Sequence, residues 1–125
     1  MALISSLEKD QVNDIAKAVY EQFEEKMGKV PEWVKVMAHR PEILKEFVEL
    51  FKTIMGEGTI PQELKWKIGY VVSQTLKCPF CIDVTSKMLK KLGMSDDMIE
   101  KLKNLEGEEK ETLALIKDVT LDGHL

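Results

Sequence analysis

Ser73-Gln74-Thr75-Leu76-Lys77-Cys78-Pro79-Phe80-Cys81 holds both cysteines of the chain and lies between two segments that each read as an amphipathic helix. Two cysteines with two residues between them can close a small disulfide ring, supply half of a metal site, or simply pack. The placement favours the ring. Pro79 suits the first position of a helix, where its missing N–H would be unsatisfied in any case. Cys78 then falls at or near the N-cap, with Cys81 one turn inside. Unpaired N–H groups and the positive end of the helix dipole favour an anion there, so the spacing carries a mechanism for lowering a thiol pKa.

The rest of the chain limits what this turn can serve. With 125 residues the chain reads as one domain over 1–125. Its 44% hydrophobic content supports a core, and its 32% charged residues imply a well-solvated surface. The net charge of −4 is spread over interspersed acids and bases, so no basic face for nucleic acid stands out. The start, Met1 to Asp10, lacks a basic region before its short apolar run and does not read as a signal peptide. No apolar run approaches the roughly 18 residues of a membrane span. These features lead to the expectation of a soluble cytoplasmic protein. In such a reducing compartment a close cysteine pair is more often redox-active or metal-binding than a structural staple.

Outward from the cysteines, Pro61 opens a helix through about Leu76, with Leu64, Ile68, Val71, Val72 and Leu76 as its apolar stripe. A helix from Pro79 to about Leu92 is stopped by Gly93. Ser95 caps a short helix to about Asn104, with Asp96 and Asp97 in its first turn. Glu108 to about Val119 is the last helix, followed by a tail through Gly123, His124 and Leu125 that frays. On the N-terminal side, Ser5 or Ser6 caps a first helix to about Met27, with Val12, Ile15, Ala16, Val19, Tyr20, Phe23 and Met27 on one face. Gly28 ends it. Glu32 to about Ala38 is a short helix with Trp33, Val34 and Met37 inward. Pro41 opens a helix to about Met55. Its wide apolar face (Ile43, Leu44, Phe47, Val48, Leu50, Phe51, Ile54) suggests a central position or contact with a partner subunit. No segment alternates as a strand would. The reading is an all-α domain of about six to seven helices.

The order of helix, Cys-x-x-Cys and helix, followed by Gly93-Met94-Ser95-Asp96-Asp97-Met98-Ile99, resembles the carboxymuconolactone decarboxylase / AhpD-like superfamily. Three stretches carry the resemblance. Gly28-Lys29-Val30-Pro31 is followed by Met37 to Leu44. The helix Leu64 to Leu76 places Val71-Val72-Ser73 just before Cys78. Cys78-Pro79-Phe80-Cys81 is backed by a helix to Leu92-Gly93. The resemblance implies an AhpD-like helical bundle, a homo-oligomer (trimer or hexamer), and a thiol peroxidase or disulfide reductase activity. It also implies a thiol electron donor or redox partner protein, and a small peroxide or disulfide as substrate.

Active AhpD-like proteins place a glutamate twelve residues before the first cysteine and a histidine four after the second, as a proton relay. Here those positions hold Trp66 and Thr85, and neither is a general base near neutral pH. Glu63, one turn before Trp66, is the surrogate that the sequence offers, although Lys67 can hold it as an ion pair. Asp83 points away from Cys81 on a helix, and Lys77 beside a helix start reads as an exposed residue that could favour a thiolate. His39, before Arg40-Pro41, reads as a helix-end residue, and His124 is given no role.

The capping argument makes Cys78 the attacking thiolate and Cys81 the resolving thiol, whereas the family relay would activate Cys81. With the relay absent, Cys78 is favoured. This chemistry needs no cofactor and no metal. Two other readings stay open. The pair can be structural on a binding or assembly scaffold. It can also be half of a Cys₄ zinc site across a subunit interface, since zinc normally takes four ligands and one chain offers few. Lactone decarboxylation would need polar groups to hold an anionic substrate, and the sequence shows only scattered lysines and Arg40 for that.

Overall fold

The computed structural model describes residues 2–123. Their regular elements are helical: a 3₁₀ turn at Lys9–Gln11, then α1 (Asp14–Met27), α2 (Glu32–Met37), α3 (Pro41–Met55), α4 (Gln62–Thr75), α5 (Pro79–Lys91), α6 (Asp96–Lys103) and α7 (Lys110–Leu121). The all-α expectation holds. The chain forms two compact units, Met1–Ile54 and Met55–Leu125, each with its own core. None of the described helices is long and apolar enough to cross a membrane.

In the first unit, Ala16, Val19 and Tyr20 of α1 pack with Val34 and Ala38 and with Leu44 and Val48 of α3. Trp33 meets Phe23 and Phe47 edge-on, with ring centroids 5.6 and 5.7 Å away. The first helix begins later than its serines suggest. Val12 takes an extended backbone, and Asn13 is the cap that accepts the Ala16 N–H at 3.1 Å. Ser6 instead donates to Glu32 at 2.6 Å, and the Ser5 carbonyl lies 2.8 Å from His39 Nε2. Both serine segments are thus engaged with α2 and its C-terminal end. The buried Tyr20 hydroxyl fastens the same N-terminal stretch, donating to the Leu7 carbonyl at 2.6 Å. Gly28 ends α1 in the left-handed conformation, at φ 76°. On α1, Ile15 and Met27 are exposed rather than inward. On α3 only Leu44 and Val48 are buried, while Ile43, Phe47, Leu50, Phe51 and Ile54 stay exposed.

In the second unit α4 is central, with α5 and α7 packed along it and α6 touching it more lightly. Trp66, Tyr70 and Val71 of α4 meet Leu89, Met94, Ile99, Leu102 and Leu113 in one core. This differs from the stripe expected for α4. Leu76 is 62% exposed, and Trp66 and Tyr70 are buried alongside Val71. A helix covered on several sides has no single apolar stripe to read, and its aromatic residues bury the most area. The last helix runs two residues later than expected at each end, with Glu109 at its N-cap. His124 lies outside the described residues.

Leu89 has no exposed surface, whereas Leu115 on α7 is 50% exposed. Leu89→Ala should therefore cost about 2–5 kcal/mol of unfolding free energy. Leu115→Ala should cost no more than about 0.5 kcal/mol. Denaturant titration of both variants checks the difference.

Candidate functional site

The two cysteines sit where α4 ends and α5 begins, and one set of hydrogen bonds makes both boundaries. Lys77 N–H donates to the Gln74 carbonyl at 3.2 Å, and Cys78 N–H donates to the Ser73 carbonyl at 3.1 Å. This is the paired closure that commonly terminates helices, and it requires a left-handed residue at the first position after the cap. Lys77 fills that position at φ 55°. Glycine would do so without steric cost, whereas a left-handed lysine costs about 1 kcal/mol or more. The residue that this closure delivers, Cys78, is in turn the N-cap of α5, with Pro79 at the first helical position.

The donors of the first turn of α5 can be followed one by one. Cys78 N–H is used by Ser73, and Pro79 has none. Cys81 N–H points to Cys78 Sγ at 3.4 Å, and Ile82 N–H donates to the Cys78 carbonyl at 2.9 Å. The Phe80 N–H is not engaged by any described residue. A sulfur at the N-cap therefore faces one N–H directly and has a second close by, at the positive end of the helix dipole. Cys78 and Cys81 are paired with each other, with Cα atoms 5.3 Å apart, inside the usual disulfide range. Both are half-buried, so the turn is reachable from solvent.

Positions 66 and 85, where the resemblance implies a proton relay, hold groups that point elsewhere. Thr85 is buried, and its hydroxyl donates to the Cys81 carbonyl at 2.7 Å. A β-methyl on Gly69 would lie 3.4 Å from Thr85 Cγ2, which shows how closely α4 and α5 approach one turn below the cysteines. Trp66 belongs to the core. Glu63 is not brought to the sulfurs. Counting ten residues from Gly69 back to Glu63 and from Thr85 up to Cys81, it lies about 15 Å along the helix axis from them. It instead accepts from Lys67 at 2.8 Å, and the same ammonium reaches Glu109 at 3.1 Å. That triad ties α4 to the start of α7. Asp83 accepts from Lys87 at 2.7 Å and faces solvent. His39 belongs to the first unit. Among the described residues no group of three or more His, Cys, Asp or Glu side chains could hold a metal ion.

An all-helical chain with a closed Cys-x-x-Cys ring at a helix N-terminus defines a narrow class. Residues 41–103, about half of the chain, match the carboxymuconolactone decarboxylase family, and the chain belongs to that family. Its fold is similar to the crystal structure of the alkylhydroperoxidase AhpD core from Rhodospirillum rubrum. The TM-score is 0.68 at 25% identity, covering 100% of this chain and 93% of that one. No curated protein matches the chain.

The Lys67 triad has a defined pH signature. Burial alone would pull the Lys67 ammonium down, but the hydrogen bonds it donates to Glu63 and Glu109 and their charges outweigh it, leaving its pKa raised above 10.5. A raised cation contributes stability that is complete below its unfolded pKa and is lost as pH climbs through the folded value. Lys67→Met should cost about 1–2 kcal/mol at neutral pH. The gap from wild type should narrow as pH climbs through the raised Lys67 value. Urea titrations at neutral pH and across that alkaline range measure both.

Proposed function

We propose that the chain is a thiol–disulfide oxidoreductase of the AhpD-like type in which Cys78 attacks and Cys81 resolves. The observation that carries this reading is the N-cap position of Cys78 Sγ, facing the Cys81 N–H. In the reduced state a thiolate there gains a hydrogen bond and the helix dipole, which a thiolate one turn inside the helix does not.

The chemistry follows from that asymmetry. The Cys78 thiolate attacks one sulfur of a small disulfide, the substrate S–S bond breaks, and one half leaves as a thiolate. Cys81, losing its proton to water, attacks Cys78 Sγ and expels the second half. Two electrons have then passed from the protein dithiol to the substrate, leaving the Cys78–Cys81 disulfide. A thiol donor or redox partner protein returns the pair to the dithiol. With a peroxide, the thiolate attacks an oxygen, the O–O bond breaks, and the departing alkoxide must take up a proton. The sulfenic acid formed on Cys78 condenses with Cys81, releasing water. Trp66 and Thr85 supply no proton, so water must, and disulfides are better substrates than peroxides. The whole of 1–125 acts as one domain, in the cytoplasm, where donors keep the pair cycling. It assembles as a homo-oligomer, and the exposed Ile43, Phe47, Leu50, Phe51 and Ile54 on α3 support self-association.

A non-catalytic reading has one observation in its favour: both relay positions are filled by buried groups engaged elsewhere. One experiment separates the two. Reduced Cys81→Ser protein, given a small disulfide in excess, should accumulate a mixed disulfide on Cys78. Cys78→Ser should form one at Cys81 about tenfold more slowly. Intact mass at timed quenches reads both. Equal, slow reaction of the two variants would favour the structural reading, and a monomer in sedimentation would remove the assembly.

A further inference from the structure

We propose that a groove beside the cysteine turn binds small amphipathic anions and selects acid-bearing substrates for the pair. Its link to turnover rests on the redox reading above, but its ligand chemistry does not.

The groove, of about 270 Å³, lies where the C-terminal parts of α4, α6 and α7 come together. That is slightly below the roughly 300–1,000 Å³ of drug-sized ligand sites, so it suits a short ligand. Val71, Leu102 and Leu121 give it an apolar wall, and Lys77, Lys103 and Lys117 bring three ammonium groups to it. No carboxylate is among its lining residues. Lys77 and Lys117 form no ion pair with a described residue, and Lys103 has only Glu100, at 3.9 Å. Lys35, Lys52, Lys67, Lys87 and Lys90 each have a carboxylate within 3.0 Å, whereas Lys17, Lys29, Lys101 and Lys110 form no ion pair with a described residue either, so what marks the three is their gathering at one groove.

Lysines near helix C-termini have an ordinary explanation, because they offset the negative ends of helix dipoles. The magnitudes do not balance here. Three C-termini amount to about −1.5 elementary charges, against three full positive charges among the residues that line the groove. A ligand with one acidic group and a short apolar body meets both the surplus and the wall.

The backbone supplies a second, independent pointer. Among the described residues only Lys77 and Leu105 are non-glycines at positive φ, 55° and 57°, and both line this groove. Leu105 is accounted for by its packing on the core. The left-handed conformation of Lys77 serves the closure of α4, but its exposed, unpaired side chain adds nothing to that closure, which a glycine would make without strain. Backbone strain of this kind gathers where a side chain is needed for function. Lys77 directly precedes Cys78, so one residue of the groove's lining adjoins the sulfur-bearing turn.

The test has two arms. Oxidised protein is titrated with octanoate and, separately, with octanol, following the amide NMR signals of Lys77, Lys103, Lys117 and Leu121. Octanoate should shift them saturably and octanol should not, with affinity for octanoate falling about tenfold in K77Q/K103Q/K117Q. Next, reduced protein is mixed with dithiobis-nitrobenzoate, which carries carboxylates, and with neutral dithiodipyridine. The ratio of apparent KM values should favour the anionic disulfide. That preference should fall about tenfold in the triple variant and persist in Lys110→Gln, at the far end of α7. Absence of saturation by octanoate, or unchanged affinity in the triple variant, overturns the proposal. Should neither disulfide oxidise the dithiol, the redox reading falls, and the octanoate titration alone decides the groove.

Discussion

The hydrogen bond from Cys78 N–H to the Ser73 carbonyl, 3.1 Å long, is the constraint on which the site depends. It ends α4 and fixes Cys78 as the residue that begins α5. A helix end normally leaves carbonyls unsatisfied, and a helix start leaves N–H groups unsatisfied. Here one residue answers both needs, accepting no freedom in where its sulfur lies. The ring between Cys78 and Cys81 then spans the first turn of a helix whose other side is locked to α4 by Leu89, Thr85 and the close approach at Gly69. Rigid placement of the sulfur and its donors is what an activated thiol requires.

Much of this was legible in the sequence because it is local. Cys78-Pro79 announced a helix start, Gly28 and Gly93 announced helix ends, and Ser95 announced a cap; each has a short-range cause that needs no tertiary partner. The errors have tertiary causes. Ser5 and Ser6 are good caps by type, yet their segments are engaged by Glu32 and His39, and Asn13 caps instead. Trp66 and Tyr70 fell outside the expected stripe of α4 because that helix is covered on more than one side. Glu63 shares a helical face with Trp66, but its distance from the sulfurs and its bond to Lys67 follow from how α4, α5 and α7 pack. The left-handed Lys77 and Leu105 gave no signal, since neither is the glycine that such positions usually hold. The lysines that read as scattered include three gathered to one groove by the α4–α5 turn and by α6 and α7.

Trp66 and Thr85 stand where the resemblance implies an acid–base pair, and on the proposed reading they limit which substrates the site can serve. The tryptophan adds core area, and the threonine spends its hydroxyl on the Cys81 carbonyl. Neither moves protons at neutral pH. On the proposed reading, a reduced Cys78 relies on backbone N–H groups and a helix dipole, a means of lowering a thiol pKa that needs no titrating side chain. Such a site favours reactions whose leaving group is already stable as an anion, as a thiolate is, over those that must protonate an alkoxide. Selectivity must then come from the surroundings, which is the part we propose for the cationic groove.

The most direct measurement is the pH dependence of alkylation at each cysteine of the reduced protein, read separately by mass spectrometry. Cys78 should titrate well below the free thiol value of about 8.5, with Cys81 at or above it. A lower midpoint at Cys81, or two thiols that react only above that value, would contradict the assignment of Cys78 as the helix-activated thiolate.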